Sequence, residues 1–148
     1  MIAEPMRVLL DVNLLISYLL PSSKQQTIAA IVEAAFEGSF TLLLPPELVQ
    51  EFSTTIGAKR YLARRIRPED ATSLVTLLSQ VAEIIPPISG KIPAVCRDAK
   101  DDYLLAYALV GQADYLVTGD NDLLVLGEVE RMRIVSPADF LKVLRGRG

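Results

Sequence analysis

Short apolar runs alternate with amphipathic stretches along the 148-residue chain, the pattern of an α/β protein whose parallel sheet is covered by helices. Arg7-Val8-Leu9-Leu10 predicts a first strand and Phe40 to Leu44 a second. Ala82 to Ile85, Ala113 to Thr118 and Arg133 to Val135 supply three more. Between the first two strands, Ile28, Ile31, Val32 and Ala35 recur at helical spacing, with Ser22 or Ser23 as a cap and Gly38 as a stop. Pro45-Pro46 opens a second helix with the apolar stripe Leu48, Val49, Phe52 and Ile56, and Pro68 opens a third through about Gln80, carried by Ala71, Leu74, Val75 and Leu78. Ile88 to Lys100, broken by Gly90 and Pro93, reads as a surface loop. A helix then starts at Asp101 or Asp102 and runs through Tyr103 to Val110. Asn121 to Leu126 forms a short helix or turn, and Ser136-Pro137 caps a terminal helix.

The length fits a single domain over residues 1–148, long enough to bury about 70% of the surface of the unfolded chain. Charges interrupt every apolar pattern, so no stretch approaches the roughly 20 residues that span a bilayer. The first strand runs straight into Asp11 without a basic region and signal core. Both features lead us to expect a soluble cytoplasmic protein with no membrane partner. Cys96 is the sole cysteine, and histidine is absent. A lone cysteine excludes a disulfide framework or thiolate cluster and reads as apolar filler. The missing imidazole removes Ser-His-Asp and Cys-His catalysis and His-ligated zinc. No Gly-rich phosphate cradle of the P-loop or dinucleotide type is present. Hydrolytic chemistry is thereby left to carboxylates, lysine, tyrosine or a metal held by oxygen.

The acids are distributed in a way that suits this last option. Asp11 and Asp120 each follow a run expected to be a central strand, which brings both to the sheet edge where α/β proteins gather their chemistry. Glu51 lies on the second helix, and Asp98, Asp101 and Asp102 surround the start of the helix after the loop. Taken singly, each has an ordinary reading: Asp101 as a helix cap, Glu51 as a solvated side chain, Asp122 as the cap of the turn after Asp120. Taken together, four converging carboxylates repel one another unless a cation compensates. All-oxygen ligation selects Mg²⁺ or Mn²⁺, one or two per site, leaving coordination positions for water and phosphate. Phosphodiester hydrolysis is the reaction this chemistry suits.

Four segments in order resemble the motifs of the PIN-domain family, in particular its VapC-like toxin branch. They are Val8-Leu9-Leu10-Asp11-Val12-Asn13-Leu14-Leu15, Pro46-Glu47-Leu48-Val49-Gln50-Glu51-Phe52, the run Cys96 to Asp102 with Leu104, Leu105 and Ala106, and the run Ala113 to Leu124. The ordered combination is specific, whereas each piece alone is not. The resemblance implies a three-layer α/β/α sandwich with a parallel sheet ordered 3-2-1-4-5. It implies Asp11, Glu51, Asp101 and Asp120 as the metal-site acids, with Asp122 either a further ligand, directly or through water, or the cap of the following turn. Asn13 and Thr118 become supporting polar groups, and Asp98 and Asp102 contribute outer charge or compete with Asp101 for the third position. The implied activity is that of a metal-dependent endoribonuclease, the toxin of a type II toxin–antitoxin pair, with an antitoxin as partner and a homo-oligomeric state.

The net charge of −3 hides a segregated layout. Lys59, Arg60, Arg64, Arg65 and Arg67 crowd around Tyr61, and Lys142, Arg145 and Arg147 make the tail basic. The first cluster reads either as a solvated helix face or as a ridge that holds RNA phosphates beside the Glu51 helix. Two other functions compete with the nuclease: a catalytically silent RNA-binding or interaction module on the same fold, and a phospho-accepting receiver. The receiver fits poorly, because Glu4 stands on the wrong side of the first strand and no lysine follows Val135 until Lys142.

Overall fold

The computed structural model describes residues 5–20, 26–94 and 99–146, without the side chain of Lys100. The expected cap at Ser22 or Ser23, Cys96, Asp98 and Arg147 lie outside the described residues. Within them the chain forms β1 (Arg7–Leu10), α1 (Val12–Leu19), α2 (Gln26–Phe36), β2 (Thr41–Leu44), α3 (Pro46–Ala58), α4 (Arg60–Arg65) and α5 (Pro68–Val81). There follow β3 (Glu83–Ile84), α6 (Ala99–Val110), β4 (Tyr115–Val117), α7 (Asn121–Leu124), β5 (Glu128–Val129), β6 (Met132–Val135) and α8 (Pro137–Gly146).

The strands make one sheet in the order β3-β2-β1-β4-β6-β5. Its five parallel members reproduce the expected 3-2-1-4-5 order, the last being the Arg133 strand. The addition is β5, a two-residue antiparallel edge paired through Glu128↔Arg133 and Val129↔Met132. Gly127, at a φ of 68°, turns the chain into this hairpin from the left-handed region that glycine adopts without strain. Helices on both faces complete the three-layer α/β/α sandwich.

The central strands are short and almost wholly apolar, because parallel strands buried on two faces have no solvent side to keep polar. Val8, Leu9, Leu10, Leu116 and Val117 are all buried in a single hydrophobic cluster. α3 anchors to it through Leu48, Phe52 and Ile56, each contributing roughly 1.5–3 kcal/mol of apolar burial. Phe140 of α8 meets Phe40 edge to face, with ring centroids 5.4 Å apart. The stretch between β3 and α6 is pinned where the Ile88 N–H donates to the buried Tyr107 hydroxyl at 3.0 Å. Among the described residues no helix is long and apolar enough to cross a membrane.

Two boundaries differ from the sequence expectation in ways that matter for the acids. α1 was not foreseen: the chain passes from β1 into a helix with Asp11 alone between them, acting as its N-cap. α6 begins at Ala99 rather than at Asp101 or Asp102, so both acids sit in its first turn. The capping role expected of Asp101 is therefore not taken up.

Candidate metal centre

Strand register assembles the first part of the site. Leu10 pairs with Val117 across β1 and β4, and the ladder extends one residue further as the Asp11 N–H donates to the Val117 carbonyl at 2.9 Å. The next residues, Asp11 and Thr118, thus leave the carboxyl edge side by side. The Thr118 hydroxyl donates to Asp11 Oδ2 at 2.6 Å and accepts the Asp120 N–H at 3.0 Å. One fully buried threonine therefore fixes the first acid and the backbone that carries the fourth.

Asp11 is itself 7% exposed. Its other oxygen accepts the Asn13 N–H at 3.3 Å, an N-cap contact that sets the start of α1. Burial pushes its carboxyl above the usual aspartate range. The Thr118 hydroxyl and the Asn13 and Val12 N–H groups pull it back, and the neighbouring Asp120 charge pushes it up further. Asp120 caps α7, its Oδ1 accepting the Asp122 N–H at 2.9 Å. Asp122 therefore does not cap the turn; it stands inside α7, one residue after its start.

These elements and two more helices enclose one cavity of about 220 Å³. Asp11, Glu51, Asp101 and Asp120 all line it, together with Asn13, Thr55 and Lys59. Asp102 does not line it and is buried instead. Of the two acids in the first turn of α6, Asp101 is the one that faces the cavity. The tightest grouping is narrower than the expected tetrad: Asp101, Asp120 and Asp122 each offer a carboxylate oxygen within 4.8 Å of the others. Asp11 and Glu51 belong to the cavity wall but not to that triplet.

α3 contributes by periodicity. Glu47, Glu51, Thr55 and Lys59 follow one another at four-residue intervals and so form a polar stripe, alongside the apolar stripe Leu48, Phe52, Ile56 that the core holds. Thr55 was missed by the sequence reading, although its spacing from Glu51 carried the signal. Lys59, expected as part of a basic ridge, instead joins the acid cavity as its one cation among the described lining residues. Arg60, Arg64, Arg65 and Arg67 remain exposed on and after α4. Two of them have local partners: Arg65 donates to the Tyr61 carbonyl at 3.2 Å, and Arg67 pairs with Glu69 at 3.2 Å.

The arrangement can hold a hard divalent cation. Its donors are carboxylate oxygens from three separate helix starts and strand ends, the ligand type that Mg²⁺ and Mn²⁺ prefer. Lys59, at the end of the helix that carries Glu51, lines the same cavity and offers a charge for an anion.

Among solved structures, the chain is similar to the VapBC2 complex of Rickettsia felis bound to a DNA fragment from its promoter, at 12% identity and a TM-score of 0.60. The likeness covers 88% of this chain and 98% of the matched one, and at that identity it is a likeness of fold. A search of curated protein sequences returned no significant match. The PIN domain family model matches residues 7–122, the span from β1 to α7 that contains Asp11, Glu51, Asp101, Asp120 and Asp122. The chain belongs to the PIN domain family, whose members are generally nucleases.

Proposed function

We propose that the chain, as a single PIN domain over residues 1–148, is a Mg²⁺- or Mn²⁺-dependent endoribonuclease. The observation that carries this reading is the convergence of Asp101, Asp120 and Asp122 within 4.8 Å in a cavity also lined by Asp11, Glu51 and Lys59. Asp120, Asp101 and Asp122 would hold the cation, with Asp11 adding its carboxylate to the same cavity from the strand end. A bound divalent ion supplies electrostatic compensation to the carboxylates and the scissile phosphate and acidifies water. Thr118 keeps Asp11 turned toward the cavity, and Asn13 supports the same carboxylate through its backbone N–H. Glu51, on the α3 wall, accepts the proton of the attacking water as its oxygen bonds to phosphorus, the P–O bond to the leaving ribose oxygen breaks and that oxygen takes a proton from solvent, while Lys59 holds a nonbridging phosphate oxygen. Asp102 contributes negative charge from behind α6. The exposed Arg60, Arg64, Arg65 and Arg67 extend phosphate contacts beyond the cavity along the RNA backbone.

The fold shared with the VapBC2 complex supports a further reading, that this chain is the toxin of a type II pair. In that reading it acts in the cytoplasm, binds a protein antitoxin that covers the acid cavity, and assembles as a homo-oligomer.

The test is direct. Wild-type protein binds Mn²⁺ by calorimetry and cuts a fluorescent single-stranded RNA, whereas Asp120→Asn loses more than about 100-fold of the cleavage rate, beyond the 10–100-fold typical of outer partners of a metal site. A wild type that binds no Mn²⁺, or an Asp120→Asn variant as active as wild type, overturns the proposal. The basic ridge is tested by Arg64→Ala with Arg65→Ala, which flattens the salt dependence of RNA binding by about 0.7 in slope per lost phosphate contact. An unchanged slope removes the ridge from the proposal.

A further inference from the structure

A second cavity, of about 340 Å³, opens beside the acid cavity and shares its wall. Its lining is Glu47, Gln50, Glu51, Thr54, Thr55 and Tyr103. Glu51 and Thr55 therefore face both spaces. The α3 polar stripe runs through the pair in order: Glu47 in the second cavity, Glu51 and Thr55 between them, Lys59 in the acid cavity. At 1.5 Å of rise per residue, Glu47 stands about 6 Å along the helix from Glu51.

Two features of this cavity suit a ligand. Tyr103, on α6 two residues beyond Asp101, leaves 48% of its surface exposed at the cavity wall, and an aromatic ring open to solvent there is a face on which a base can stack. Glu47 lines the cavity and keeps its Oε2 buried without a hydrogen-bond partner among the described residues. Leaving a buried acceptor unsatisfied is costly, and a turn of the Glu47 side chain toward the cavity it lines, where a ligand donates to it, relieves that cost. An exposed ring, a carboxylate that only accepts, and amide and hydroxyl side chains in the same wall suit a planar, donor-bearing heterocycle.

We infer that this cavity is a nucleobase subsite, in which Tyr103 stacks on a base whose N–H edge reaches Glu47 while the attached phosphate lies at the acid cavity. The inference rests on the nuclease reading and names its substrate more closely. A carboxylate only accepts, and guanine offers two adjacent donors, N1–H and N2–H, on its Watson–Crick edge. Uracil offers one. Guanine is the preferred occupant, and the nucleotide must be unpaired, because a base held in a duplex can present neither its face to Tyr103 nor its pairing edge to Glu47. The substrate is single-stranded RNA cut next to a guanosine.

The experiment has a binding arm and a cleavage arm. In the first, 5′-GMP, 5′-UMP and ribose 5-phosphate are titrated into the full chain while the Tyr103 ring resonances are followed by NMR, assigned through Tyr103→Phe. GMP moves them and binds more tightly than UMP, and ribose 5-phosphate leaves them in place. In the second, Tyr103→Ala raises KM for single-stranded RNA about 10-fold, the lower part of the range for one lost stacking contact. Its Mn²⁺ affinity stays at the wild-type value, and Tyr103→Phe restores KM. Glu47→Gln, which adds a donor to the acceptor, moves the preference from guanine toward adenine, the base that a side-chain amide matches with both groups. The subsite is overturned if GMP and ribose 5-phosphate act alike on Tyr103, or if Tyr103→Ala leaves KM unchanged. A wild type that cuts no RNA yet binds GMP at Tyr103 ends the nuclease reading and retains the subsite. One that cuts RNA with no dependence on Tyr103 or on the base does the reverse.

Discussion

The two ends of the central sheet handle charge in opposite ways. At the amino end, Arg7 donates from Nη1 and Nη2 to the two oxygens of Glu83, with the first contact at 2.9 Å, and its Nε donates to the Gly111 carbonyl at 2.9 Å. Its backbone N–H is taken by Asp114 Oδ2 at 2.8 Å. Charge is neutralised there within the chain, and the Arg7 hydrogen bond holds the Glu83 carboxyl below its usual range. At the carboxyl end, four carboxylates line one cavity with a single described lysine, and Asp11 is pushed the other way by burial. The same strands that place matched charges at one end gather like charges at the other. Like charges brought together repel, and a site that takes a cation gains from that arrangement.

The comparison breaks first at Thr118. Thr118→Val keeps the shape but removes the hydroxyl that holds Asp11 and receives the Asp120 N–H. Cleavage and Mn²⁺ affinity fall about 10–100-fold, as for outer partners of metal ligands generally, and Thr118→Ser recovers most of the loss. Equal activity in the valine variant would mean that the register contact is packing and nothing more.

A smaller and sharper test uses the opposite pKa directions of the two ends, read as melting temperature in EDTA from pH 3 to 8. Asp11 has a folded pKa raised above its unfolded value of about 3.9. Its contribution is fully present below that value and is lost as pH rises through the folded one. Asp11→Asn escapes this loss, so the metal-free variant melts higher than wild type at pH 7, with the gain vanishing near pH 3. Excess Mn²⁺ narrows or inverts the order, since at 100 times the wild-type Kd it adds about 2.7 kcal/mol to the wild type and less to a variant whose weakened site binds the ion less tightly. Glu83 has a lowered folded pKa, so its contribution is present above its unfolded value of about 4.3 and is lost as pH falls through the folded one. Glu83→Gln therefore melts lower than wild type at neutral pH. Its effect is the smallest, within about 2–4 °C at this chain length, because the pair is partly exposed and such bridges contribute about 0.2–1 kcal/mol. Its cleavage rate stays at the wild-type level. Parallel pH slopes in the two variants would remove the distinction between the ends.

Much of the fold was legible because its elements have strong local signals. β1 matches its expected bounds, as apolar runs buried on two faces stand out from their surroundings. α3 and α5 begin at the prolines that announce them, and α8 begins where the Ser136 hydroxyl accepts the Asp139 N–H at 3.1 Å. The failures also have causes. α1 was hidden because Asp11 is at once the last extended residue and the helix cap, with no turn residues between. β5 is two residues long and depends on its hairpin partner. The start of α6 was set two residues late, because Asp101 and Asp102 look like caps but lie in the first turn, where acids also favour the helix dipole.

By itself the sequence determined which chemistry was open: with no histidine and one cysteine, hydrolysis is left to carboxylates, lysine, tyrosine or a metal held by oxygen, and the acids placed after apolar runs suit the last. It also determined the alternation from which a parallel sheet follows, since period and punctuation are local properties. Only the tertiary structure decided which acids meet. It put Asp101 rather than Asp102 on the cavity, drew Asp122 into the close triplet with Asp101 and Asp120, and turned Lys59 away from the ridge toward the acids. The reason is geometric. Which of two adjacent helical residues faces a cavity depends on the rotation of α6 about its axis, and that rotation is fixed by side chains packed from other elements.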